Sequence, residues 1–132
     1  IYDDYAHHPT EIQTTLEGAR RSYPGRRIRA VFQPHTYSRT EKLLYEFSEA
    51  FAEADEVVLA EIFSSAREKK SGHDSISSAK LAELINKKGI KTRYFPTLEE
   101  ISSYLNATLK EDDLVITLGA GDVYKVGLIL VS

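Results

Sequence analysis

The densest group of reactive side chains lies near the start of the chain, in Asp3-Asp4-Tyr5-Ala6-His7-His8-Pro9-Thr10-Glu11. A carboxylate here can accept hydrogen bonds from ribose hydroxyls, as acidic residues do in other nucleotide folds. The plain alternative is that an Asp or His8 caps a helix beginning at Pro9. Successive strand residues point to opposite faces, so Asp3 and Asp4 cannot both enter one cleft if a strand runs through them. Asp4, at the strand's end, is the candidate for nucleotide contact, and Asp3 is expected to point away. A metal reading of His7 and His8 is not favoured. Adjacent residues seldom ligate one ion, and only Glu11 stands at helical spacing from them, so no dedicated metal site is expected.

Two further segments carry chemistry. Gln33-Pro34-His35-Thr36-Tyr37-Ser38-Arg39-Thr40 places a fixed cation, an imidazole and several hydroxyls next to a helix start. Arg39 could grip a carboxylate or phosphate through two parallel hydrogen bonds, helped by backbone N–H groups. A capped helix with a surface Arg39 is the simpler alternative. Gly119-Ala120-Gly121-Asp122 partly matches a dinucleotide fingerprint, but Tyr124 stands at its third glycine and the segment follows the last strand. Gly119 and Gly121 more safely signal a tight turn or a close backbone approach. The sequence has no G-x-x-x-x-G-K-[ST] loop, so ATP chemistry would have to borrow one.

Apolar periodicity sets the frame for these segments. Ile1 and Tyr2 read as the end of a first strand, with Ile12, Leu16 and Ala19 sharing a face of the helix that follows. Tyr23-Pro24-Gly25 stops that helix. Ile28 to Phe32 forms a second strand, followed by a loop from Gln33 to Arg39 and a helix with Leu43, Leu44, Phe47 and Phe51 on its core face. Val57 to Ala60 is a third strand. Ser64 to Ser75 has no period and reads as a long exposed loop, with His73 a solvated surface residue. Leu81, Leu84 and Ile85 mark a helix stopped by Gly89, and Thr92 to Phe95 a fourth strand. Leu98, Ile101 and Leu105 give another helix, Leu114 to Leu118 a fifth strand, and Val123 and Val126 a last helix. Strands alternating with helices predict an α/β, Rossmann-like, mostly parallel sheet of about five or six strands, with helices on both faces. The ligand crevice of such a sheet lies beyond the carboxyl ends of its strands, where all three segments fall.

Bulk properties narrow the class. At 132 residues the chain has the length of one domain, read here as 1–132. Seventeen basic against 20 acidic residues give a net charge of -3, which excludes a general positive field for nucleic acid or anionic lipid. The absence of cysteine excludes disulfides and thiolate zinc sites and permits the cytoplasm. No apolar run approaches the roughly 20 residues that cross a bilayer. Ile1-Tyr2-Asp3-Asp4 lacks a starting Met and any signal peptide, and the apolar end at Leu128-Ile129-Leu130-Val131 would need cover; both suggest a domain excised from a longer protein.

Asp4-Tyr5-Ala6-His7-His8-Pro9 resembles the D-Y-[AG]-H-x-P element that opens the C-terminal domain of Mur ligases and, more loosely, of folylpolyglutamate synthases. The doubled histidine and the segments Phe32 to Thr40 and Gly119 to Tyr124 narrow the resemblance to the branch that adds L-alanine. It covers nearly the whole chain. Many members of that branch carry Arg where this chain has Thr36. The resemblance implies a three-domain enzyme: an N-terminal domain holding UDP-N-acetylmuramate, a central ATPase domain carrying the phosphate loop and most of the Mg2+ ligands, and this domain, which closes over the centre. ATP would phosphorylate the muramate carboxylate, and the amine of L-alanine would attack the acyl phosphate. Matched position by position, Asp4, Tyr5 and His7 would meet the nucleotide. His35 and Arg39 would face the acyl-transfer centre and the alanine carboxylate, and Gly119 and Gly121 would shape the pocket wall. A third-class alternative is a plain nucleotide-binding or interaction module. A receiver domain shares the length and the early acidic pair, but it needs an Asp where Glu61 stands and Lys-Pro where Gly119-Ala120-Gly121 stand.

Overall fold

A computed structural model describes residues 2–63 and 77–131. The elements follow the expected alternation: β1 (Tyr2–Asp4), α1 (Pro9–Ser22), β2 (Ile28–Phe32), α2 (Tyr37–Lys42), α3 (Leu44–Glu49), β3 (Glu56–Leu59), α4 (Ser78–Lys87), β4 (Lys91–Tyr94), α5 (Leu98–Thr108), β5 (Leu114–Leu118) and α6 (Tyr124–Val131). All five strands pair in parallel, in the order β1-β5-β2-β3-β4. Ile1 as strand, the exposed loop 64–75 and a solvated His73 lie outside the described residues.

The register divides the sheet into two cores. Ile28, Ala30 and Phe32 of β2 align with Leu114, Ile116 and Leu118 of β5 and bury their side chains with Ile12 and Leu16 of α1, Phe47 of α3 and Leu81 and Ile85 of α4. The Phe32 ring lies 5.3 Å from Phe47 and 5.5 Å from Phe51. The alternate residues Val31, Val58 and Val115 face Ile101 and Leu105 of α5 and Val126 of α6. Burying side chains of this size stabilises by roughly 1.5–3 kcal/mol each, so the two faces hold the sheet from both sides. Each step from β1 to β2, β3 and β4 moves one way with its helix on the first face. The return through α5 to β5 uses the second, as right-handed crossovers require.

Several features depart from the periodic reading. The loop after β2 ends at Thr36, so Arg39 lies inside α2 and not in the loop. The single helix expected next is broken at Leu43 into α2 and α3, and Leu43 and Leu44 are only half-buried. β3 and β4 each begin one residue earlier than predicted, at Glu56 and Lys91. Glu56 is drawn in because it pairs with Arg29, a fully buried cation near the start of β2, at 2.7 Å. Arg29 also donates to Thr108 Oγ1 at 2.7 Å, its guanidinium lies 5.4 Å from the Tyr104 ring, and Tyr104 Oη donates to Glu56. Arg27 holds Asp113 with bonds of 2.8 and 2.5 Å. This ionic cluster lies at the amino ends of the strands, opposite the crevice.

Candidate functional site

β1, β5 and β2 are neighbours, so their carboxyl ends bring the three motif segments side by side although up to about a hundred residues separate them. The loops after β1 and β2 lead to helices on the first face, and the loop after β5 leads to α6 on the second. The chain therefore parts at β5, which is the topological switch point where open parallel sheets bind ligands.

The β1 loop is held by its own side chains. Asp4 Oδ1 accepts the Ala6 N–H at 2.8 Å, and Oδ2 accepts the Thr15 hydroxyl at 3.0 Å. Asp3, on the other sheet face, accepts the Thr117 hydroxyl at 2.6 Å. Strand β1 thus runs through both acids and sends them to opposite faces, as the pleat demands. His8 caps α1 by accepting the Thr10 N–H at 3.2 Å, Pro9 opens the helix, and Glu11 reaches back to the N–H groups of His8 and His7 at 3.1 and 3.4 Å. Those backbone donors, that of His8 first, hold the Glu11 carboxyl below its ordinary value. Capping thus occupies His8 and leaves Tyr5 and His7 facing outward. Tyr5 is 70% exposed, and its ring meets His7 edge-on at 5.4 Å, while His7 Nδ1 lies 3.1 Å from the Tyr5 carbonyl oxygen.

The β2 loop is clamped against the segment after β3. Thr36 N–H donates to the Phe63 carbonyl at 2.7 Å, Phe63 N–H donates to Pro34 at 2.8 Å, and the His35 ring stacks on Phe63 at 5.5 Å with 15° between planes. Thr36 has φ +65°, an unfavourable value for a β-branched residue, and is pinned there by three contacts of its own. Its hydroxyl accepts the Arg39 N–H at 3.2 Å, while its carbonyl accepts the Thr40 hydroxyl at 2.7 Å and N–H at 3.2 Å. Cap and strain together fix Arg39 in the first turn of α2, half-buried beside the crevice, and among the described residues no carboxylate pairs with its guanidinium.

The β5 loop joins the other two through a residue that sequence patterns did not single out. Gln33, buried at the end of β2, donates from Nε2 to Asp122 Oδ1 at 2.8 Å and accepts the Val123 N–H at 3.1 Å. Gly119 and Gly121 are required by this closeness. At Gly119 (φ +149°) a Cβ would lie 3.0 Å from the Gln33 carbonyl oxygen, and at Gly121 it would lie 2.6 Å from Gln33 Oε1 and 2.7 Å from the Phe63 ring. The Gly119 N–H donates to the Asp4 carbonyl at 3.2 Å, which ties in the β1 loop. Phe63 was also missed, since a lone aromatic before a polar stretch has no periodic signal. A glutamine beside a proline after a strand was the only hint of Gln33.

Among the described residues no group of three or more His, Asp or Glu could hold a metal ion, and no helix is long and apolar enough to cross a membrane. Glu61, at the position where a receiver would carry its phosphoacceptor, accepts the Tyr94 hydroxyl at 2.6 Å. Burial and that bond push the Tyr94 phenol above its usual range.

A parallel sheet with three motif loops meeting at its switch point defines a Mur ligase C-terminal domain, and the chain belongs to that family: the family described as "Mur ligase, glutamate ligase domain" matches residues 1–121. Within it, the chain is 66% identical over 131 residues to the UDP-N-acetylmuramate–L-alanine ligase of Desulfitobacterium hafniense, covering 99% of this chain and 29% of that protein. It is 49% identical over 132 residues to the same-named ligase of Clostridium acetobutylicum, covering 100% of this chain and 28% of that protein. The crystal structure of UDP-N-acetylmuramate-alanine ligase MurC from Thermotoga maritima superposes with a TM-score of 0.75 at 26% identity, over 97% of this chain and 25% of that one. The chain therefore spans little more than a quarter of the length of the curated relatives it matches.

Proposed function

We propose that this chain is the closing domain of a cytoplasmic UDP-N-acetylmuramate–L-alanine ligase, which forms an amide bond at the expense of ATP during peptidoglycan precursor synthesis. The observation that carries this reading is the meeting of the Asp4–His8, Gln33–Arg39 and Gly119–Asp122 segments at one switch point, in a chain so similar to ligases of that name. In this reading the UDP-sugar site, the phosphate loop and most Mg2+ ligands belong to the N-terminal and central domains. This chain supplies two walls.

The first wall is nucleotide-facing. Asp4 commits one lone pair of each oxygen to Ala6 and Thr15, so it holds the loop in shape and keeps acceptor capacity toward a ribose. Tyr5, exposed, and His7, half-buried against it, face the base and sugar. The second wall faces acyl transfer. Arg39 offers a fork for the carboxylate of L-alanine, and His35, held flat against Phe63, orients the incoming amino acid. Gly119 and Gly121, packed closely on Gln33 and Phe63, shape the pocket wall. Closing these walls over the central domain shields a water-labile acyl phosphate, the usual reason for a mobile closing domain.

A chimera tests the reading. This chain replaces the matching region of the D. hafniense ligase, and phosphate release is followed with UDP-N-acetylmuramate and L-alanine varied separately. L-Alanine-dependent turnover is expected, and Arg39→Ala should raise the KM for L-alanine about ten- to a hundred-fold while leaving that for ATP nearly unchanged. A folded chimera without turnover, or an Arg39→Ala effect on ATP alone, overturns it.

A further inference from the structure

Away from the three-loop crevice, between the edge strand β1 and helix α1, lies a cavity of about 300 Å³. Leu114 and Ile116 of β5 form its apolar floor, Gly18 and Ala19 its helical side, and Tyr2 and Tyr23 a wall in which the two phenol hydroxyls bond to each other across rings 6.0 Å apart. The space is left open by Gly18. A Cβ built there meets nothing within 4 Å, so the cavity would admit a side chain, although glycine within a helix is unfavourable relative to alanine.

The charges on the lining have one sign. Asp3 and Asp4 both border the cavity and, among the described residues, no basic one does. The pleat sends the Asp3 side chain to Thr117 on the other face, so the carboxylate offered to an occupant is that of Asp4. A carboxylate has about four acceptor positions. Asp4 uses two, on Ala6 and Thr15. The tyrosine wall suits a cation as well: Arg26, just outside, already stands 5.2 Å from the centre of the Tyr23 ring. Apolar floor, aromatic wall and a carboxylate end match one chemical class.

We propose that this cavity is a binding site for a small amphipathic primary amine, its apolar body on Leu114, Ile116 and the tyrosine rings and its ammonium toward Asp4. Because Asp4 also holds the Ala6 N–H, an occupant is sensed by the Tyr5–His8 loop on the far side of that carboxylate. The inference does not need the ligase reading, but it shares Asp4 with the nucleotide-facing wall, so an amine on the remaining acceptor positions of Asp4 competes with a ribose for them.

The test is a titration of the 15N-labelled chain with 2-phenylethylamine, alongside 2-phenylethanol and 3-phenylpropionate as neutral and anionic counterparts. The amine is expected to give saturable shifts at the Gly18, Ala19, Ile116 and Ala6 amides and to bind about fivefold more tightly than the alcohol, the scale of a partly exposed ion pair. The propionate is expected to give none. Gly18→Leu fills the cavity and should abolish saturation without lowering the melting temperature; Ser22→Phe, at an exposed position, blocks the same space if Gly18→Leu does not fold. Equal binding of amine and alcohol, shifts that never saturate, or unchanged amine binding in the filled variants overturns the proposal.

Discussion

Replacing Gln33 by alanine removes the residue that ties the β2 and β5 loops together, and its cost can be built from the two hydrogen bonds that the side chain makes. The Val123 N–H is buried and loses its acceptor, the Gln33 side-chain oxygen at 3.1 Å. A buried donor left unsatisfied costs roughly 1–3 kcal/mol. The bond from Nε2 to Asp122 contributes less, about 0.5–1 kcal/mol, because the Asp122 side chain is 34% exposed and regains water. Together these give about 1.5–4 kcal/mol, and a water entering the gap would bring the value toward the lower figure. At the usual unfolding entropy per residue, a chain of 132 residues loses about 3.6 °C per kcal/mol, so the melting temperature should fall by about 5–14 °C. Hydrogen exchange at the Val123 amide should accelerate beyond what the global loss explains. Gln33→Glu sharpens the test. It keeps the acceptor for Val123 but sets a second carboxylate beside Asp122, so one of the pair must titrate at a raised pKa in the folded state. Its penalty should therefore be smallest at acid pH and grow as pH rises through that value. A fall below about 2 °C for Gln33→Ala, or a Gln33→Glu penalty that does not vary with pH, would show that Gln33 does not hold the loops.

Gly121→Ala is expected to destabilise by about 1–3 kcal/mol through overlap with Gln33 and Phe63, whereas Gly18→Ala, which meets open space in a helix, should stabilise by about 0.5–1 kcal/mol; denaturant melts of both decide it. Arg29→Met leaves Glu56 buried without its main cation, for a loss of about 3–5 kcal/mol, and adding Glu56→Leu should recover most of it in the same assay. For Asp113, burial works to raise the carboxyl pKa, but the bonds from Arg27 and the Lys110 N–H, together with the charges of Arg27 and Arg29, outweigh it and leave a net lowering. Its stabilisation is thus complete above the ordinary carboxylate pKa and lost as pH falls through the lower folded value, so Asp113→Asn should flatten the acid limb of a stability-against-pH curve.

Much of this chain was legible from local patterns. Period and turn chemistry placed β2 and β5 to the residue, since Ile28–Phe32 and Leu114–Leu118 are largely apolar runs buried on both faces. Pro9 and Gly89 marked helix ends because each fixes backbone geometry by itself: one opens α1, and the other takes φ +89° after α4. The three segments at strand ends were found the same way. What local pattern could not determine is which strands are neighbours. Only the order β1-β5-β2 brings Asp4, Gln33 and Gly119 together, and only that closeness explains why positions 119 and 121 must be glycine and why Gln33 matters. The early start of α2 escaped notice because Thr36 is held at positive φ in part by Phe63, a contact that crosses from one loop to another. Arg29 is the sharpest case. Its burial depends on Glu56, Thr108 and Tyr104 arriving from other elements, and a charge can enter a core only when such partners, separated in sequence, are assembled around it by the tertiary fold.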